Sequence, residues 1–184
     1  MIVNKIIFPK QQGIKCNMMP FIQGNASSLP DQYKSYSKII NKNFLEKNEV
    51  GFLTIDESFV NVGSSQRGYN SNNINRNVHI EVGRVNNQNR WGNGGSNGWG
   101  GKETTLLDNN TKVLIANNIS NTCRYWNTLE TSYTLDGDLS DYINKYPENT
   151  GILLKKGEML KMSIFTPHEC IVQKNQTTGN FLEL

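Results

Sequence analysis

A chain of 184 residues is long enough for one domain that buries roughly two-thirds of the surface it exposes when unfolded, so it needs neither a metal nor a disulfide merely to fold. Its net charge of +3, with Lys and Arg scattered among the acids, outlines no phosphate-tracking surface and argues against nucleic acid as a partner. No apolar run approaches the ~20 residues of a membrane span, the first residues lack the charged-then-apolar order of a signal peptide, and Cys16, Cys123 and Cys170 are too far apart for a disulfide framework or a structural zinc site, so the expectation is a soluble, intracellular, cytoplasmic protein with reduced thiols that is neither secreted nor membrane-bound.

Residues 2–8 are apolar and β-branched and end at Pro9, which predicts a short first strand. Gly13, Pro20 and Gly24 then read as turns. Ser28-Leu29-Pro30-Asp31 is a helix-start signal, and Tyr33, Tyr36, Ile40 and Phe44 follow at spacings of three and four. The spacing predicts a helix over residues 30–45 whose aromatic-apolar stripe packs on a sheet. Beyond residue 50 the helical period disappears. Strands are predicted at residues 51–56, 59–62, 78–84, 104–107, 112–116, 122–126, 151–154, 159–163, 170–172 and 180–184, with a brief helix at 140–146.

Many short strands after one helix predict a mainly β fold, a sandwich or jelly roll. The expected organisation is a single domain over residues 1–184, in which a strand and helix from residues 1–50 pack on a jelly-roll core of residues 51–184. Two stretches interrupt the pattern: an Asn-rich loop at residues 70–77, and a glycine loop at residues 90–101 that holds Trp91 and Trp99. The second lacks the Gly-Lys-Ser/Thr ending of a phosphate loop, because Lys102 is followed by Glu103. It reads either as a lid over a pocket, with the tryptophans as covers, or as a low-complexity insertion.

The chemistry-bearing residues are few. Residues 77–84 read Asn-Val-His-Ile-Glu-Val-Gly-Arg, and on a strand His79 and Glu81 project to one face while Val78, Ile80 and Val82 project to the other. The only other histidine is His168, in Phe165-Thr166-Pro167-His168-Glu169. Two histidines and one carboxylate are the parts of an iron site that leaves positions open on the metal. The plainer alternative is that His79 and Glu81 face water on a half-buried strand and His168 belongs to a turn. A serine triad is disfavoured because it would have to take one of the chain's two histidines, Cys170 on the strand of His168 would point beside it and not at it, and Asp136 and Asp138 read first as a turn.

His79-x-Glu81, followed far downstream by Gly157-Glu158 and Thr166-Pro167-His168-Glu169, resembles the double-stranded β-helix of cupins and iron(II)/2-oxoglutarate oxygenases. With Leu53-Thr54-Ile55-Asp56-Glu57 and the Trp-Gly loop, the chain is also similar to uncharacterised cupin-like proteins of large DNA viruses and protists. The likeness covers residues 51–184 and rests on short motifs. It implies a divalent metal, Fe(II) or another, on His79, Glu81 and His168, with 2-oxoglutarate as cosubstrate. The chain departs from the oxygenase pattern beyond the distal histidine, where a basic residue usually binds the cosubstrate's far carboxylate and this sequence reads Gln176-Thr177-Thr178-Gly179-Asn180. Arg124, whose planar fork matches a carboxylate, and Lys174 are the substitutes within reach of the pattern.

Three functions are therefore expected in order of preference. The first is an oxygenase-like protein hydroxylating a small-molecule or protein substrate admitted by Trp91, Trp99 and Trp126. The second is a non-catalytic jelly roll used for binding or for assembly, as a homo-oligomer or a virion component. The third is a sugar-binding or isomerase-type cupin, with a tryptophan stacked on a ring.

Overall fold

Val113-Leu114-Ile115 and Met159-Leu160 with Met162 are apolar runs too short for helices and bounded by turns, the pattern of strands covered on both faces. In the computed structural model they lie side by side near the middle of an antiparallel sheet. The structure describes residues 2–43, 48–66, 76–81, 112–131 and 137–184. Among them the sheet runs in the order β1 (Ile2–Lys5), β8 (Glu158–Ser163), β5 (Lys112–Asn117), β11 (Phe181–Glu183), β3 (Val50–Asp56) and β2 (Lys15–Ile22). A second sheet runs β7 (Ile152–Leu153), β6 (Cys123–Tyr125), β9 (His168–Cys170), and β4 (Phe59–Val60) pairs with β10 (Thr177–Thr178). The described architecture is mainly β and antiparallel, with one short α-helix.

Strand alternation gives the large sheet two apolar faces. Val113, Ile115, Leu160, Met162 and Phe181 point one way and share a core with Val78, Ile80, Cys123, Tyr125 and Leu139 from the smaller sheet and its extension. Leu114, Ala116, Met159 and Leu182 point the other way and join Leu53 and Ile55. That second face is covered by the N-terminal layer. A 3-10 turn over Asp31–Tyr36 passes into α1 (Ser37–Asn43), and Tyr33, Tyr36, Ile39 and Ile40 are buried against the sheet's residues. The helix begins where the sequence places it, but its first half is wound more tightly, and Phe44 lies outside the described residues.

A buried carboxylate ties this layer down. Glu57 Oε2 accepts hydrogen bonds from the backbone N–H groups of Gln12 (2.6 Å) and Ile14 (2.9 Å), and its Oε1 accepts from the Tyr36 hydroxyl (2.6 Å) and Asn180 Nδ2 (3.2 Å). Burial, then the hydrogen bond to Glu57, pushes the Tyr36 hydroxyl's pKa well above its ordinary value, so the tyrosine remains a donor.

Several elements differ from expectation. β2 replaces the turns expected around Pro20. Among the described residues it is an edge strand, where a proline without an N–H is tolerated, and a register shift between Cys16 and Met19 puts Met18 at φ 54° with its N–H donated to Thr54 Oγ1. β9 starts two residues before the predicted strand, at His168 itself. The strand predicted at 78–84 is held by isolated bridges at His79, its last three residues lie outside the described ones, and so does the strand predicted at 104–107. No helix among the described residues is long and apolar enough to cross a membrane.

Candidate metal centre

Residues 78–81 are sandwiched between two backbones. On one side His79 and His168 exchange both backbone hydrogen bonds, His79 N–H to His168 O at 2.9 Å and His168 N–H to His79 O at 3.0 Å. On the other, Ile80 N–H reaches Gly137 O and Leu139 N–H reaches Val78 O, each at 3.0 Å. Glu81 N–H closes the end of the segment on Ile164 O at 2.9 Å. Residues directly opposite in an antiparallel pair share a face, and so do residues i and i+2 on one strand, so His79, His168 and Glu81 must project together. The two imidazoles stand with centroids 4.3 Å apart.

Each ring is fixed by the same device. His79 Nδ1 lies 2.9 Å from the carbonyl oxygen of Asn77, and His168 Nδ1 lies 3.0 Å from that of Thr166. A carbonyl oxygen only accepts, so both Nδ1 atoms carry the proton and both Nε2 atoms face the shared space. Glu81 Oε1 is 3.1 Å from His168 Nε2 and 3.7 Å from His79 Nε2, and one ligand atom from each of the three residues lies within 4.8 Å of the others. An ion holding N and O donors at about 2.1 Å and right angles spaces them about 3 Å apart. The donor set, its spacing and the hydrogen-bonded outer nitrogens all fit a divalent cation.

The electrostatics place one proton where that cation would sit. Burial works against a charged His168, but the hydrogen bond and charge of Glu81 outweigh it, and the His168 pKa is raised above its ordinary 6.5. His79 goes the other way: burial first, then the neighbouring His168 charge, lowers its pKa to about 4. The shorter contact of Glu81 is with His168, so the pair Glu81–His168 keeps the proton and His79 stays neutral. Metal binding must displace that single proton. Apparent affinity is therefore expected to rise by up to about tenfold per pH unit below the His168 pKa and to level off above it. Titrations with Zn(II) in weakly coordinating buffers between pH 6 and 8 check this, and a two-proton slope would contradict the assignment of His79.

The structure does not bring the other predicted site residues to this group. Arg124 stands directly opposite Glu169, the neighbour of His168 that points to the reverse face of β9. There it bonds Glu169 at 2.5 Å and Glu148 at 3.0 Å. Lys174 is exposed in the bend after β9, whose alternation ends at Cys170, so the shared parity with His168 does not hold. Trp126 is buried, its Nε1 shared between Pro147 O and Thr150 Oγ1 at 3.2 Å each, its ring 5.4 Å from that of Tyr146 and under the Arg76 guanidinium. A ring so covered is packing, with no free face for a sugar. Trp91 and Trp99 lie outside the described residues.

Two contributors went unread in the sequence. Tyr125 faces His168 across β6 and β9 and so shares the face of the candidate ligands. Arg76 holds Glu169 with Nε at 3.1 Å and Nη2 at 3.2 Å, and caps Tyr146 O at 2.8 Å. The signal for the brace was Glu169 itself: next to a histidine pointing inward, an acid on a covered strand needs a cation on the other side.

No protein-family model, no curated protein and no solved structure matches this chain.

Proposed function

We propose that this chain is a metalloprotein with a double-stranded β-helix core, and that Fe(II) on His79, Glu81 and His168 makes it an oxygenase-like enzyme hydroxylating a small-molecule or protein substrate. The observation that carries the reading is the convergence of both Nε2 atoms with the Glu81 carboxylate while both Nδ1 atoms are bound to backbone. These three side chains would hold the metal and leave part of its coordination free, and a metal so held would supply a centre for a chelating 2-oxoacid and an oxidant. The chain's own residues do the rest. The carbonyls of Asn77 and Thr166 fix the ring tautomers, the paired backbones of His79 and His168 fix the spacing, and Glu81 supplies the negative charge that offsets a dication. Of the three ligands His79 is the most exposed, at 13 % of its side chain against 2 % for His168, which puts the approach of a substrate on its side.

Anaerobic addition of Fe(II) and 2-oxoglutarate is expected to give a weak visible charge-transfer band that Glu81→Ala removes. Iron-loaded protein without such a band would overturn the cosubstrate assignment while leaving the metal site standing. A second reading, a jelly roll that binds metal or a partner without catalysis, draws on one observation: Arg124, the guanidinium nominated for the cosubstrate's carboxylate, is already taken by Glu169 and Glu148. In that case the protein serves assembly, and His79→Ala leaves its association unchanged.

A further inference from the structure

We propose that Cys123 and Cys170 are the two halves of a reversible disulfide, a redox-modification site built into the smaller sheet. They stand directly opposite each other in the antiparallel pairing of β6 with β9. The kind of pairing matters. Trp126 N–H bonds Pro167 O and Ile171 N–H bonds Thr122 O, so residues 126 and 167, and 122 and 171, are hydrogen-bonded pairs. Such pairs alternate along the ladder, which makes Cys123 and Cys170 a pair of the other kind, with Cα atoms about 4.5 Å apart and side chains on one face. That separation lies inside the ~4.4–6.8 Å that a disulfide spans, at its short end. Neither neighbouring position offers the same geometry, since Arg124 and Glu169 point to the reverse face.

The two thiols also differ in access. Cys170 is partly exposed and Cys123 is buried, while Cys16, the third cysteine, lies on β2 in the other sheet. An external low-molecular-weight disulfide therefore meets Cys170 first. The Cys170 thiolate attacks one sulfur of that disulfide, forming a mixed disulfide and releasing one small thiol. Cys123 then attacks the Cys170 sulfur, losing its proton, and the second small thiol leaves. Two protein thiols are oxidised and one external disulfide is reduced to two thiols. Drawing side chains across the pair from the ~4.5–5.5 Å between opposed Cβ atoms to the ~3.8 Å of a disulfide strains the sheet, and a strained disulfide is readily reduced again. The crosslink would fix β6 to the strand that carries His168, although the site stands or falls independently of any metal.

The test uses metal-free full-length protein incubated with oxidised glutathione, alkylated while folded, and mapped by mass spectrometry. The expected result is loss of two hydrogens, a peptide pair joining Cys123 to Cys170, alkylation of Cys16 alone, and full reversal by dithiothreitol. In Cys170→Ser the crosslink is lost, and Cys123 is expected to stay a thiol. Glutathione retained on Cys170 without a Cys123–Cys170 link, or crosslinks distributed over all three cysteines, would overturn the proposal. Because the mapping is done on the wild-type chain, a folding defect in the variant cannot decide it.

Discussion

His168→Ala is expected to lower the affinity for divalent metals by at least about 100-fold, since changes in residues that merely support a metal ligand already cost 10–100-fold. The substitution removes one of three donors, and it removes the partner that fixes Glu81 Oε1 at 3.1 Å. His79→Ala takes away a donor too but leaves the Glu81–His168 contact, so it separates loss of a ligand from loss of the arrangement. Competition against a chromophoric chelator measures both, with circular dichroism as the check that the sheet persists. His168 is almost fully buried, so its loss leaves a cavity beside Glu81 and some stability is lost, but the backbone pairing with His79 does not involve its ring and the sheet is expected to persist. Wild-type affinity in a folded His168→Ala protein would refute the centre.

Glu169→Ala is expected to destabilise the protein by about 3–5 kcal/mol, the range for removing one partner from a buried ion cluster. Glu169 is 3 % exposed and forms ion pairs with two guanidiniums, those of Arg76 and Arg124, themselves only 18 % and 12 % exposed. After the substitution both arginines retain Glu148, a carboxylate on the surface, at 3.0 Å from Arg124 and 3.9 Å from Arg76, and Arg76 retains the carbonyl of Tyr146. Neither offsets a buried charge fully. The large cost would reflect stranded cations more than the worth of the intact cluster. Glu169→Leu combined with Arg124→Met should accordingly recover a substantial part of the loss. Urea unfolding midpoints at constant m-value measure these differences. A Glu169→Ala loss below about 1 kcal/mol would mean that the cluster is solvated.

How much of this was legible beforehand follows the range of the interactions involved. Leu114 and Leu160 announced strands because β-branched and aliphatic runs without a helical period admit little else, and Tyr33, Tyr36 and Ile40 announced a helix by spacing. The strand at Lys15–Ile22 was hidden because Pro20 reads as a breaker, and only its place at the sheet's edge makes it acceptable. Arg124 could be seen as a guanidinium near the site, but which face of β6 it occupied depended on register with β9. A shift of one residue there would put Arg124, in place of Tyr125, opposite His168.

Local chemistry thus determined that the protein is mainly β with an N-terminal helix, and that His79, Glu81 and His168 were its candidate donors, because two-residue periodicity and side-chain identity are properties of short stretches. Tertiary pairing alone decided that His79 and His168 exchange backbone hydrogen bonds, that Glu81 reaches both rings, and that Glu169 turns its arginines away from them. Register between strands distant in the chain is set by how whole faces bury together, and no single segment carries that information.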